Sequence, residues 1–355
     1  LKMSDAAGDW RLANGVLDLK GGLTVADTAE SPRFRPLASD DFQLRLAGSD
    51  ITAGGTLKMP DTGVKITDVS LAHDLSSGTG HADLAVPGIT FTPDGLQPDQ
   101  ITPLTLGVVA NVDGTLTGKG HIAWNQKGVT STGDFHTAGT DLAAAFGTVK
   151  GLSTDLHFTD LLGLTSAPDQ VATVAEINPG IAAQDGVFHY QLLPEQRVRL
   201  ESAHWPFAGG DLTLETTVLD FGGNKVKRLT FHVKGMEAAQ FLQQFDFDNL
   251  SATGTFDGVL PMIFDTDGGR IEGGHLDSRA GGTIAYVGDL SQKDLGYWGN
   301  FAFQALRSLR YDSLSIDMDG PLAGSMITQI RFGGVKQGKG AKSNFLIDRI
   351  AKLPL

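Results

Sequence analysis

The chain of 355 residues carries 28 Lys and Arg against 41 Asp and Glu, a formal net charge of −13. Because this acidic balance repels phosphate backbones, nucleic acid is not an expected partner. The sequence contains no cysteine, which excludes disulfides, thiolate nucleophiles and cysteine metal sites. Hydrophobic residues at 41% and charged residues at 19% are typical of a folded globular chain.

The first residue is Leu1, and neither the basic start nor the apolar core of a signal peptide follows it. No run reaches the roughly 18 apolar residues that a membrane-spanning helix needs. We therefore expect a piece of a longer protein, with any targeting or anchoring segment outside this sequence.

Most of the chain alternates apolar and polar residues with a period of two, which indicates half-buried strands. The 46 glycines, about 13% of the chain, are expected between these strands. The pattern predicts a mainly β protein. Its clearest segments, in chain order, are 15–22, 42–48, 64–75, 152–158, 197–205, 211–219, 228–235, 313–320 and 327–334.

Three segments show helical spacing of apolar residues instead. Residues 236–245 and 300–310 predict short helices; the second begins at Asn300, which can cap a helix, and ends with two arginines that favour the helix dipole. Residues 343–353 give a weaker third candidate. These helices are expected to cover the sheet or to close its end.

Three echoes of the pattern apolar-Asp-Gly-x-Leu occur at 112–116, 256–260 and 318–322. Their unequal spacing does not establish a regular repeat. They indicate either Asp-Gly turns and bulges or a strand unit that is reused irregularly along a long sheet.

The search for catalytic and cofactor motifs finds only partial matches. Residues 333–340, GGVKQGKG, nearly match a phosphate loop, but Gly340 stands where a Ser or Thr must hold magnesium. Residues 265–272 resemble part of a calcium loop, yet an Asp-Gly hairpin turn is the better interpretation. The nine histidines are scattered, and His157 and His232 alternate with apolar neighbours as polar-face residues do. We predict no enzyme, no bound metal and no cofactor.

The apolar faces of the later strands allow two interpretations. They form either an ordinary closed core or an open groove, and a large open apolar face in a globular protein marks an interaction site, here for lipid. The candidate groove residues are Leu156, Phe158, Val198, Leu200, Leu212, Leu214, Leu229, Phe231, Val233, Leu314, Ile316, Met318, Ile330 and Phe332.

Residues 300–337, NFAFQALRSLRYDSLSIDMDGPLAGSMITQIRFGGVKQG, resemble the C-terminal signature of the YdbH-like intermembrane phospholipid transport family, a branch of the AsmA-like envelope proteins. Residues 235–276 and 281–288 resemble the same family in the same order. The resemblance covers roughly residues 150–350, and the first third is only generically similar. It suggests either a generic β-groove segment over 1–149 followed by a YdbH-like groove domain over 150–355, or one continuous unit.

The resemblance implies a long, bent, antiparallel-rich sheet that forms a groove for phospholipid acyl chains between the inner and outer membranes. It also implies a periplasmic location and an inner-membrane anchor in a missing N-terminal part. An outer-membrane lipoprotein is a further candidate partner. The family also carries a label of dicarboxylate transport, but a carboxylate substrate needs a basic pocket and this chain is acidic. The alternative function is a structural or assembly factor for outer-membrane proteins that acts through sheet edges.

Overall fold

The protein is described by a computed structural model over residues 2–179, 182–223, 225–244, 250–286, 309–322 and 327–337. Twenty strands form one large antiparallel sheet, and four short strands form a second sheet. The predicted mainly β class is confirmed, and each of the nine alternating segments coincides with strand structure.

Helices are scarce in the described part of the chain. The one α-helix there, α1 (Ala238–Gln244), confirms the helix predicted over 236–245, and two 3-10 turns lie at Pro98–Gln100 and Pro103–Thr105. The helix predicted over 300–310 lies mostly outside the described residues, and its end is wrong because Leu309–Tyr311 is a strand. The third candidate, 343–353, lies outside the described residues.

The chain divides into two compact units, of which unit 1 comprises residues 1–178, 187–201 and 216–225. Its first nine strands pair consecutively in an up-and-down order. The Asn14–Gly15 pair, both at positive φ, makes the two-residue turn between the first two strands. The strands are β1 (Lys2–Ala13), β2 (Val16–Ala26), β3 (Leu37–Ala47), β4 (Asp50–Lys58), β5 (Lys65–Asp74), β6 (Thr79–Phe91), β7 (Val109–Asn125), β8 (Gly128–Ala144), β9 (Gly147–Asp160), β10 (Thr165–Ser166), β11 (Gln170–Asn178), parts of β12 (Ala183–Leu193) and β13 (Arg197–Phe207), and β15 (Thr217–Asp220).

Unit 2 comprises residues 179–186, 202–215 and 226–355. It takes the remaining parts of β12 and β13. Its further strands are β14 (Gly210–Leu214), β16 (Lys227–Glu237), β17 (Leu250–Thr253), β18 (Thr255–Asp265), β19 (Gly268–Ser278), β20 (Gly282–Tyr286), β21 (Leu309–Tyr311), β22 (Ser313–Pro321), β23 (Ile327–Gly333) and β24 (Lys336–Gln337). The central strands pair antiparallel in the order β13-β14-β16-β18-β19-β22-β23.

Bulges interrupt the long strands of both units, and an aspartate on the neighbouring strand holds several of them. Gly273 has φ +70, and its N–H donates to Asp319 Oδ1 at 2.6 Å. Gly235 likewise donates to Asp257 Oδ1 at 2.7 Å. Two of the three Asp-Gly segments therefore supply the carboxylate that holds a neighbouring bulge, and all three lie within strands rather than in turns.

Many glycines lie inside strands, so the expectation that they only separate strands is wrong. Some of them make room for an aromatic ring on the next strand. A Cβ on Gly80 would lie 2.5 Å from the Trp124 ring, and one on Gly118 would lie 2.5 Å from the Phe135 ring. Glycine in these strands thus allows large side chains to lie flat across the sheet.

Candidate apolar binding surface

The strand register of unit 1 collects apolar side chains on one face of the sheet. Directly opposite residues on neighbouring strands point to the same side, so the pairings define rows across the sheet. We call two of these rows together the apolar floor. The first row is Trp10, Leu19, Leu44, Ala53, Leu71, Ala82 and Ile122, and the second is Leu12, Leu17, Leu46, Ile51, His73, Gly80 and Trp124.

The apolar floor is only partly covered by the rest of unit 1. Trp10 is 70% exposed and Leu12 is 63% exposed, while Leu44, Leu71 and most other members are half-buried. With strands about 4.8 Å apart, seven strands give a width of about 29 Å. An acyl chain spans about half of a hydrocarbon core of ~30 Å. The floor is therefore wide enough for an acyl chain that lies across the strands.

The same face of unit 1 is covered by its own chain at the opposite end of these strands. Residues 92–108, which we call the cap segment, include both 3-10 turns. Gln97 accepts a hydrogen bond from Val112 N and donates to Val112 O, both at 2.8 Å, and Thr102 Oγ1 donates to Arg33 O at 2.6 Å. The cap segment contributes Leu96 and Ile101 to a packed cluster whose buried members are Leu37, Leu57, Met59, Ile66, Val86, Ile89, Phe91 and Val112.

The other face of the sheet is polar, and its histidines pair with carboxylates across strands. Eight of the nine histidines lie there; seven contact a carboxylate at 2.5–2.8 Å, and His81 lies 3.9 Å from Asp83. The pairs of His157 with Asp134 and His232 with Glu215 confirm the predicted polar-face histidines. Hydrogen bonds to Asp317 and Asp277 raise the pKa of His275. These solvated pairs keep this face hydrophilic.

In unit 2 the apolar face is more fully buried than in unit 1. One row crosses the central strands, and Trp205 at one end of it is only 2% exposed while Ile330 at the other end is 49% exposed. Within the described part of the chain, the indole N–H of Trp205 has no hydrogen-bond partner. The row consists of Trp205, Leu212, Val233, Gly258, Leu276, Ile316 and Ile330.

The candidate groove residues from the sequence fall into several groups within the two units. In unit 1, Leu156 and Phe158 lie beside Phe135, whose ring meets that of Phe158 edge to face at 5.6 Å. Val198 and Leu200 lie opposite β15. In unit 2 the register joins Leu212 with Val233, Leu214 with Phe231, Leu229 with Met262, Leu314 with Phe332, and Ile316 and Met318 with β19 and β23.

The burial of these residues differs along the chain. Phe158, Leu212, Leu214, Leu229, Phe231, Val233 and Leu314 are buried; Leu156, Val198, Leu200, Ile316, Met318 and Phe332 are half-buried; Ile330 is exposed.

Sequence reasoning missed the more exposed apolar surface. All its candidates lie beyond residue 150, whereas the apolar floor is formed by β1–β7. The sequence nevertheless indicates this surface. The apolar positions of the alternating segments 15–22, 42–48 and 64–75 include the floor positions of β2, β3 and β5. His73 could also have been found, since it continues the alternation of Val69 and Leu71.

The described residues offer little for catalysis. They contain no group of three His, Asp or Glu side chains placed to hold a metal ion. Asp265 and Gly268 close the predicted hairpin turn, and Asp265 pairs with Arg270. The phosphate-loop-like segment, including Lys339, lies partly outside the described residues. Within the described ranges, no helix has the length and apolar character to cross a membrane.

These features define the class of the protein: a mainly β chain with a large antiparallel sheet that has an apolar and a polar face. Residues 1–345 match the family model described as YdbH-like, intermembrane phospholipid transport protein YdbH. The chain belongs to this YdbH-like family. The family predicted from the resemblance is confirmed, and the match also includes the first third of the chain, where the resemblance was only generic.

No curated protein and no solved structure matches the chain. Membership of the YdbH-like family implies intermembrane phospholipid transport and therefore a place in the cell envelope. The description of the family is that of a lipid transport family.

Proposed function

We propose that the chain shields phospholipid acyl chains on the apolar face of its sheet while they pass between the inner and outer membranes. The observation that carries the proposal is the half-open apolar floor of unit 1, set against a polar opposite face in a member of a phospholipid transport family. The candidate groove residues after 150 are proposed to continue this function in their own units.

The energetics favour passive shielding. Each CH₂ removed from water contributes about 0.8 kcal/mol, so a 16-carbon chain gains on the order of 10 kcal/mol before ordering costs. The floor provides mostly apolar contacts, and neither row contains an Asp, Glu, Lys or Arg. A lipid bound in this way can slide along the face, because no single contact dominates.

The proposal places the chain in the periplasm, as part of a protein anchored in the inner membrane, with an outer-membrane lipoprotein as a further partner. It requires no cofactor. Family membership supports the envelope location, while the anchor and the lipoprotein belong to the proposal alone.

The test uses lipid extraction and a matched pair of photo-crosslinkers. Mass spectrometry of the purified protein should detect co-purified phospholipid. A crosslinker at Leu44, on the floor, should capture lipid in cells, whereas one at Arg45, its neighbour on the polar face, should not. Lipid adducts at neither position, or equally at both, would contradict shielding by the apolar face.

One observation favours assembly through a sheet edge as a second candidate function. Among the described strands β1 pairs only with β2, and its apolar side chains Trp10 and Leu12 are largely exposed. A free edge can accept a strand from another protein through main-chain hydrogen bonds. A crosslinker at Trp10 separates the two functions: stoichiometric capture of one protein without lipid favours assembly, and lipid adducts favour transport.

A further inference from the structure

One histidine differs from all the others in its position. His73 lies on the apolar face, in the second row of the floor between Ile51 and Gly80, whereas the other eight histidines lie on the polar face. Among the residues that the structure describes, His73 has no carboxylate partner. Its nearest carboxylate in sequence, Asp74, is turned toward the hydroxyls of Ser76 and Ser77 at 2.7 and 2.8 Å.

The hydrogen bond of His73 determines which ring nitrogen carries the proton. Trp124 Nε1 donates to His73 Nδ1 at 3.2 Å. An indole nitrogen can only donate, so Nδ1 must accept, and the proton of the neutral imidazole therefore sits on Nε2. Nε2–H is thus a donor without a hydrogen-bond partner among the described residues.

The Trp124 ring is held in the position that this bond requires. It lies flat over Gly80, where any Cβ would come within 2.5 Å of the ring, and its centroid is 6.0 Å from that of His73. Both side chains are half-buried on the floor. The pair therefore presents one oriented N–H at the end of the floor that lies away from the cap segment.

The surroundings of this N–H match the boundary between the apolar and polar parts of a lipid. Leu71 and Ile51 border His73 on one side with apolar surface, while the strand ends at Asp74 on the other. Tryptophan and similar amphipathic side chains suit such boundaries, because one end of the side chain is apolar and the other is wet. The neighbours of His73 on this face, Leu71, Ile51 and Gly80, carry no carboxylate.

We propose that His73 Nε2–H, oriented by Trp124, donates a hydrogen bond to a phosphate oxygen of a phospholipid whose acyl chains lie on the floor. The inference rests on the proposed function, since it assigns the polar end of that same bound lipid. His73 is then a positioning contact that favours phospholipids over lipids without phosphate.

The test measures the Kd of the purified protein for a fluorescent phosphatidylglycerol and for a diacylglycerol with the same acyl chains. A hydrogen bond to a charged acceptor is worth about tenfold in affinity. His73→Phe should weaken phosphatidylglycerol binding about tenfold and leave diacylglycerol binding unchanged. His73→Gln, which keeps an N–H donor, should retain most of the affinity.

Controls keep the outcomes separate. His136→Phe, on the polar face where His136 pairs with Asp155, should change neither Kd. If His73→Phe fails to fold, Trp124→Phe removes the N–H that orients the imidazole, and it should lower the phosphatidylglycerol affinity selectively.

Equal weakening of both lipids, or of neither, overturns the role of His73 while the proposed function stands. Binding of millimolar inorganic phosphate that is lost in His73→Phe, together with phosphatidylglycerol binding that is unchanged in this variant, would assign the contact to free phosphate. This result would overturn the lipid assignment. If the wild-type protein binds neither lipid, the proposed function itself fails.

Discussion

A carboxylate placed in the middle of the apolar floor should separate lipid binding from folding. Leu71 is half-buried and lies between Ala53 and Ala82 on the neighbouring strands. In the empty protein an Asp at this position can still reach water, so Leu71→Asp should cost only about 1–2 kcal/mol, the lost partial burial of a leucine.

The same carboxylate beneath an acyl chain would lose its water without gaining a partner. Such desolvation costs about 3 kcal/mol or more. Because 1.4 kcal/mol corresponds to a factor of ten, phospholipid affinity should fall on the order of 100-fold. Ser70→Asp is the matched control, since Ser70 is the exposed neighbour on the polar face and should leave affinity unchanged.

The assay combines titration of a fluorescent phospholipid with thermal unfolding of both variants. The expected result is a folded Leu71→Asp protein that has lost lipid binding beside a Ser70→Asp protein that has kept it. A folded Leu71→Asp protein with wild-type affinity would refute the location of the acyl chains on the floor. Unfolding of unit 1 would instead show that Leu71 belongs to a closed core.

Three other predictions address the two units separately. Phe231 is 3% exposed and lies between Leu214 and Leu260. In chemical unfolding, Phe231→Asp should destabilise unit 2 by at least about 3–5 kcal/mol and Phe231→Leu by less than about 1.5 kcal/mol. Equal stability of the two variants would contradict this burial. Gly151 has φ +65, and a Cβ added there would lie 2.7 Å from the Cβ of Ala175. Gly15 has φ +76, but a Cβ there would meet nothing within 4 Å. Gly151→Ala should therefore destabilise unit 1 more than Gly15→Ala, and a larger loss of stability for Gly15→Ala would argue against the clash. The pKa of His275 is raised mainly by its hydrogen bond to Asp317. The contribution of this pair to stability is therefore present below the unfolded-state pKa of about 6.5 and is lost as the pH rises through the folded-state pKa. NMR titration should show a lower His275 pKa in Asp317→Asn, and an unchanged pKa would exclude Asp317 as the cause.

The sequence predicted the strands well where alternation was strong and poorly where it was weak. Segments such as 42–48 and 228–235 alternate apolar with polar residues, and they lie in strands β3 and β16. The longest strands, β7 and β8, were missed because glycine and threonine dilute their alternation. Gly118 faces the Phe135 ring and Gly114 faces Thr140 on the neighbouring strand, and such contacts leave no trace in the local alternation.

The candidate site could be predicted only in part, for a related reason. Alternation separates an apolar from a polar face within each strand, but it does not reveal how much of the apolar face the rest of the chain covers. The cap segment, with Gln97 and Thr102 as its main polar contacts, is an irregular stretch that has no period to detect. As a result, the buried Phe231 and the half-open Leu71 look alike in sequence.

The most direct test of an acyl-chain surface on the apolar face is a crosslinking scan along the single strand β5 in cells. Photo-crosslinkers at positions 69, 71 and 73 point to the apolar face, and those at 68, 70 and 72 point to the polar face. We predict phospholipid adducts with a period of two, at 69, 71 and 73 only. Adducts at consecutive positions, or none at the three apolar ones, would contradict the assignment of this face to lipid.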